Sequence, residues 1–149
     1  MPQIVHNPDA LPTFPVFSQA TISKGQVYVS GNIGCKPDLK TLVEGGVQAQ
    51  TVGTRIYHIQ SSTSSHSCLL ETKRAALENI AKVLKAAGSG LEHIVKANVY
   101  LTDMENFGAM NEVYAQFFEA GKMPARTCIG VKALPLGADV EIECIAEIP

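Results

Sequence analysis

The sequence predicts a single α+β domain, a mixed sheet with two helices on one of its faces, in the order β-β-α-β-α-β-β. Two observations predict the helices: Leu77, Ile80, Ala81 and Leu84 recur at helical spacing, and so do Phe107, Met110, Tyr114 and Phe117. A third predicts the sheet: short β-branched or alternating stretches, bounded by Gly and Pro turns, surround those helices, with one hairpin at each end. At 149 residues the chain has the length of one domain and can bury a core without a disulfide or metal staple.

Gln19 to Ile22 and Gln26 to Gly31 flank a Ser23-Lys24-Gly25 turn, the pattern of a hairpin. RAALENIAKVLKAA, Arg74 to Ala87, is the first helix and stops at Gly88, a favourable C-cap. IVKANVYL, Ile94 to Leu101, alternates as a strand, and Thr102-Asp103 turns the chain into a second helix, Asn106 to Ala120, closed by Gly121. Arg126 to Lys132 and Val140 to Glu147 are the last strands, separated by a Pro-Leu-Gly turn. Stretches such as VYVSGNIG and TCIGV are too apolar to leave the second face of the sheet wet, so that face is expected to pack against another copy of the chain.

One segment does not fit this pattern. VGTRIYHIQSSTSSHSCLLETK, Val52 to Lys73, has no sustained period and a Ser/Thr cluster at its middle, and it reads as an atypical insertion into the first helix of a 1–149 domain, or as a translated intron. Removing it places Val47, Thr51, Ala76, Ile80 and Leu84 on one continuous helical face. Its His58, His66 and Cys68 match no metal-site spacing, and no chemistry is assigned to them.

Composition narrows the function. No apolar run is long enough to cross a bilayer, and a net charge of −2 offers no basic field for a phosphate backbone, so nucleic acid is a disfavoured partner. The N-terminal stretch has neither a secretory apolar core nor an Arg-rich transit pattern, which points to the cytosol, with a mitochondrial setting as the alternative. The four cysteines and four histidines are scattered, suggesting reduced thiols and no zinc site. Two charged groups stand out against this background. Arg126 and Glu143 sit inside apolar strands, where each needs a partner, an exposed position or a ligand.

Pro124-Ala125-Arg126-Thr127-Cys128, Leu134 to Leu136 and Val140-Glu141-Ile142-Glu143 closely resemble the C-terminal signature of the RidA family, also called YjgF/UK114 proteins. Co-linear matches include Phe17-Ser18-Gln19-Ala20, Val29-Ser30-Gly31, GGVQAQT with RAALENIAKVLKAAG, Ile94-Val95-Lys96, and Asn106-Phe107 through Asn111-Glu112-Val113-Tyr114. The resemblance implies a homotrimer of chorismate-mutase-like subunits with clefts between subunits. It further implies an enamine/imine deaminase that hydrolyses small 2-imino acids, such as 2-iminopropanoate and 2-iminobutanoate, to 2-oxo acids and ammonia without a cofactor.

By that resemblance Arg126 binds the substrate carboxylate, a task its planar fork suits, and Glu143 orients or deprotonates water and returns a proton to nitrogen. The plain alternative is a structural salt bridge between the two. Thr127 and Cys128 line the family's cleft, Cys128 through its main chain, and the thiol itself reads as a small buried apolar group. Ser30 and Gly31 end a strand where a hydroxyl can donate and backbone can approach a ligand closely, Asn111 reaches the substrate from the second helix, and Phe17 walls the pocket. Phe17 stands where many members have Tyr, so a phenol contribution is absent there. Two rival readings are an endoribonuclease-type translation inhibitor and a non-catalytic trimer that binds small carboxylates.

Overall fold

A computed structural model describes residues 1–36, 41–52 and 76–149 of the chain. The elements are β1 (Gln3–Val5), β2 (Ala20–Ser23), β3 (Gln26–Ile33), α1 (Gly46–Val52), α2 (Ala76–Ala86), β4 (Ile94–Leu101), α3 (Phe107–Tyr114), β5 (Ala125–Gly130) and β6 (Val140–Glu147). The strands form one mixed sheet in the order β1-β2-β3-β6-β4-β5, with β4 and β5 parallel and every other neighbouring pair antiparallel. The α+β class and the mixed sheet agree with the expectation from sequence. The segment read as an insertion lies outside the described residues save for Val52, which ends α1, and so does the expected start of the first helix at Arg74.

The β2–β3 hairpin forms as expected. Ser23 pairs with Gln26 across a two-residue turn in which Lys24 and Gly25 both take positive φ, 51° and 77°, the twist that suits right-handed strands. β1 was not expected: it adds three residues to the outer edge of β2, too few to show any period in sequence.

The expected C-terminal hairpin does not exist. β6 runs between β3 and β4, and β5 lies outside β4 as an edge strand. Burial accounts for the difference, because Val140, Ile142, Cys144 and Ala146 are all buried on β6 whereas β5 leaves Ile129 and its neighbours exposed. The strand with more apolar surface to cover takes the centre of the sheet.

The second helix is shorter than expected. Regular α-helix ends at Tyr114, a 3-10 turn covers Ala115–Phe117, and Phe118 turns to extended backbone, bringing its ring within 4.9 Å of the Tyr114 ring. The first helix is present as α1 and α2 on either side of the segment outside the description. α1 is anchored independently by Gln50, whose Nε2 donates to Asp139 Oδ2 at 2.9 Å while its Oε1 accepts the Asp139 N–H at 2.8 Å.

Side chains alternate along each strand, so register assigns the faces. Val27, Val29, Ala97, Val99, Leu101, Ile142 and Cys144 share one core with Leu77, Ile80 and Leu84 of α2 and Met110 and Tyr114 of α3. The helices therefore cover one face. The other face carries Tyr28, Ile145, Lys96, Asn98, Tyr100, Glu141, Glu143 and Ile129, joined by the pairings Tyr28↔Ile145, Asn98↔Glu143, Tyr100↔Glu141 and Tyr100↔Ile129.

Candidate active site

β2 stops pairing with β3 at Val29, and the register between β3 and β6 shifts between Val29 and Asn32, so Ser30 and Gly31 form a bulge, tied on the β2 side by the Ser30 N–H, which donates to the Gln19 carbonyl at 3.0 Å. A cavity of about 500 Å³ opens beside it. Leu11, Phe14 and Phe17 of the β1–β2 connection form one wall, Ser30 to Ile33 another, and Glu141 and Glu143 reach it from the helix-free face of β6.

Gln19 holds the first wall in place. Buried between strand and loop, its Nε2 donates to the carbonyls of Leu11 and Asn7 at 2.8 and 3.0 Å, and its Oε1 accepts the Asn7 N–H at 2.6 Å. Asn7 Nδ2 in turn donates to the Lys82 carbonyl of α2 at 2.8 Å.

Two of the expected contributions differ in detail from the structure. The Ser30 hydroxyl donates to the Ser18 carbonyl at 2.6 Å, so its proton is already used and it has only lone pairs to offer a ligand. The room left by the missing Gly31 side chain is filled by the Glu141 carboxylate, which a Cβ at that position would strike. Glu141, half-buried there, has its carboxyl pushed above the usual range by desolvation and then by the neighbouring Glu143.

Glu143 is held by one of its two oxygens. Asn98 Nδ2 donates to Oε1 at 2.9 Å and the Tyr100 hydroxyl donates to the same atom at 2.8 Å. Neither bond uses Oε2, which leaves that oxygen to accept a proton from elsewhere. The Tyr100 hydroxyl has a raised pKa, chiefly because of this bond and then burial, so it stays protonated and a donor at any working pH.

Arg126 belongs to different surroundings. It pairs in register with Ala97 and therefore points to the helix face, where its guanidinium lies 4.7 Å from the Tyr114 ring centroid and 5.8 Å from that of Phe107. Glu143 pairs with Asn98 and points the opposite way. The alternative of a salt bridge between them is thus overturned: the two charges lie on opposite faces of the sheet, and Arg126 has no ion pair among the described residues. Stacking fixes the guanidinium plane and leaves its N–H edges free for a carboxylate.

Cys128 lies two residues along on the same face, half-buried, its thiol raised by burial despite the opposing pull of Arg126. Thr127 faces the other way and accepts a bond from Lys96 Nζ at 2.6 Å. On α3, Asn111 Oδ1 and the Tyr114 hydroxyl are buried with no hydrogen-bond partner among the described residues, and burial pushes the Tyr114 phenol up to about 12.

The expected residues thus form two groups. Phe17, Ser30, Gly31 and Glu143 line the cavity, whereas Arg126 and Cys128 lie behind the sheet beside the α3 residue Tyr114, with Thr127 at the β5 edge. Sequence reasoning missed Asn98 and Tyr100, although the alternation in IVKANVYL places them on one face; their acidic partner comes from a strand remote in sequence. It also missed Phe107 and Tyr114 as the ring partners of Arg126, having read them as positions on the second amphipathic helix.

A family model described as Endoribonuclease L-PSP matches residues 63–148. The RutC family protein UK114 of Drosophila melanogaster is 40% identical over 137 residues, which span 92% of this chain and 82% of that protein. A Mus musculus protein named 2-iminobutanoate/2-iminopropanoate deaminase is 38% identical over 130 residues, 87% of this chain and 79% of the relative. Among solved structures, yeast Mmf1 superimposes with a TM-score of 0.78 at 34% identity, over the whole of both chains.

Proposed function

Since this chain belongs to the endoribonuclease L-PSP family, the RidA or YjgF/UK114 proteins, we propose that it is an enamine/imine deaminase converting 2-imino acids to 2-oxo acids and ammonia. One observation carries the reading: a stacked, unpaired guanidinium and a carboxylate with one oxygen clamped and one free are the two groups that imine hydrolysis needs. No residue in the scheme calls for a cofactor, and the cytosolic setting read from the sequence belongs to the same proposal.

Arg126 holds the substrate carboxylate through two parallel N–H donors. Glu143 Oε2 takes a proton from water as the water oxygen bonds to the imine carbon; the C=N electron pair moves to nitrogen, and Glu143 passes that proton to it. The resulting carbinolamine collapses: Glu143 takes the hydroxyl proton as the C–O bond becomes the ketone, the C–N bond breaks, and Glu143 passes that proton to the departing ammonia. Thr127 and the Cys128 main chain border this cleft, and Asn111 adds a polar contact.

Because the two groups face opposite sides of one sheet, a cleft containing both takes Arg126 from one copy and Glu143 from another, as in a homotrimer. Tyr28 and Ile129, exposed apolar residues on the helix-free face, supply surface for such packing. The family model's endoribonuclease description favours a second reading, RNA cleavage, which the chain's net charge of −2 argues against.

The test is ammonia release from 2-iminopropanoate or 2-iminobutanoate generated in situ by an amino-acid oxidase. Acceleration by the parent chain that disappears in Arg126→Ala is expected. A folded oligomer that leaves the spontaneous rate unchanged would overturn the proposal, and salt-dependent RNA binding by that same protein would transfer the case to the nuclease reading.

A further inference from the structure

We infer that Glu141 is a second catalytic carboxyl of this site: it gives a proton to the imine nitrogen, so that the water aimed by Glu143 attacks an iminium carbon. The inference rests on the deaminase reading and deepens it by placing an acid beside the base. Glu141 and Glu143 stand two residues apart on one face of β6 and line the same cavity of about 500 Å³.

Their surroundings make the two carboxyls unequal. Glu141 is the cross-strand partner of Tyr100, yet the Tyr100 hydroxyl commits its single proton to Glu143 Oε1, to which Asn98 also donates. Glu141 receives neither donor, and its carboxyl has no hydrogen bond and no ion pair among the described residues. On its other side β3 presents Ile33 in register and Gly31, whose missing Cβ leaves the room that the carboxyl occupies. Donors stabilise the ionised form of a carboxyl, whereas a half-buried carboxyl with none, beside a like charge, favours its protonated form. The raised carboxyl of Glu141 agrees with that rule. Two acids of one cavity in such different settings suit opposite tasks, Glu141 giving a proton where Glu143 takes one.

The protons balance. The Glu141 O–H bond breaks as its proton bonds to the imine nitrogen, and the carboxylate left behind faces the new N–H. Water adds to the carbon, the C=N pair returns to nitrogen, and Glu143 carries the two water protons to nitrogen in turn. Nitrogen thus departs as ammonium, one proton richer than ammonia, and Glu141 regains its proton from bulk water. The titratable groups facing Glu141 are Glu143 on its own strand, Tyr100 on β4 and the Cys35 thiol in the cavity wall. Among the described residues, β3, α2 and the β1–β2 connection bring no charged group to the cavity.

The experiment measures kcat and KM of the intact oligomer on 2-iminopropanoate generated in situ, across about pH 5–9, for the parent, Glu141→Gln and Glu141→Asp. Glu141→Gln keeps the shape and loses the acid proton, so kcat is expected to fall at least about tenfold at the acid end, with KM changed less than about twofold. At the alkaline end the parent's Glu141 has also lost its proton, so the variant-to-parent ratio rises with pH; titration of the imine itself cancels in that ratio. Glu141→Asp, which keeps a carboxyl, is expected to exceed Glu141→Gln at least about threefold at the acid end. A Glu141→Gln kcat within about twofold of the parent at every pH, or a loss equal at every pH and shared by Glu141→Asp, overturns the inference while leaving the deaminase reading standing. No acceleration by the parent chain overturns both.

Discussion

Replacing Tyr100 by Phe removes one of the two donors on Glu143 Oε1 and changes almost nothing else, because the ring remains. A hydrogen bond to a charged group contributes about 1.5–3 kcal/mol when well buried. Tyr100, Asn98 and Glu143 are all half-buried, so water competes and about 1 kcal/mol is the better figure. That corresponds to about a fivefold loss in rate. Asn98 still grips the same oxygen in the single variant, so Tyr100→Phe with Asn98→Leu should cost more than the product of the two single losses, at least about 25-fold. The loss should fall on kcat, with KM little changed, since the substrate carboxylate is held by Arg126. The oxidase-coupled ammonia assay reads both constants, and thermal melting checks that the fold is intact. A double variant with kcat within twofold of the parent would refute the view that this clamp aims Glu143 at water.

Three further outcomes are expected. The raised Glu141 carboxyl means that the folded chain holds this proton more tightly than the unfolded one, so the contribution is present at acid pH and is lost as pH rises through the raised value. Glu141→Gln should therefore melt above the parent at pH 8 and show little difference at pH 4; the reverse order would refute the assignment. Asn79 is fully buried on α2 and neither of its side-chain amide atoms has a partner among the described residues, so Asn79→Leu should stabilise the chain by about 1–3 kcal/mol, seen as a melting temperature higher by several degrees; an unchanged or lower value would show that the amide is satisfied in the assembled protein. Burial keeps the Cys128 thiol protonated near neutrality, so Cys128→Ala should retain most of the activity, and complete loss in a folded protein would implicate the sulfur directly.

Periodicity made α2, β4 and β6 legible, because each buries one side and the apolar residues mark it. It also placed Arg126 with Cys128, and Glu141 with Glu143, since parity along one strand follows from spacing alone. What it could not supply was the order of strands. That Arg126 and Glu143 face opposite ways depends on β4 lying between β5 and β6, and nothing local in either strand records that neighbour. The same gap hid Tyr100 and Asn98 as holders of Glu143. β1 was missed for a simpler reason, being three residues long, and α3 was overextended because Phe117 keeps helical spacing while leaving the α-helix.

The separation of the two charges has a consequence for how such a protein can change over time. Arg126 rests on Phe107 and Tyr114, Glu143 rests on Asn98 and Tyr100, and the two sets share no side chain. A substitution that retunes one support therefore leaves the other in place, and descendants can alter the grip on the substrate and the handling of water one at a time, each drift tolerated without a compensating change across the sheet.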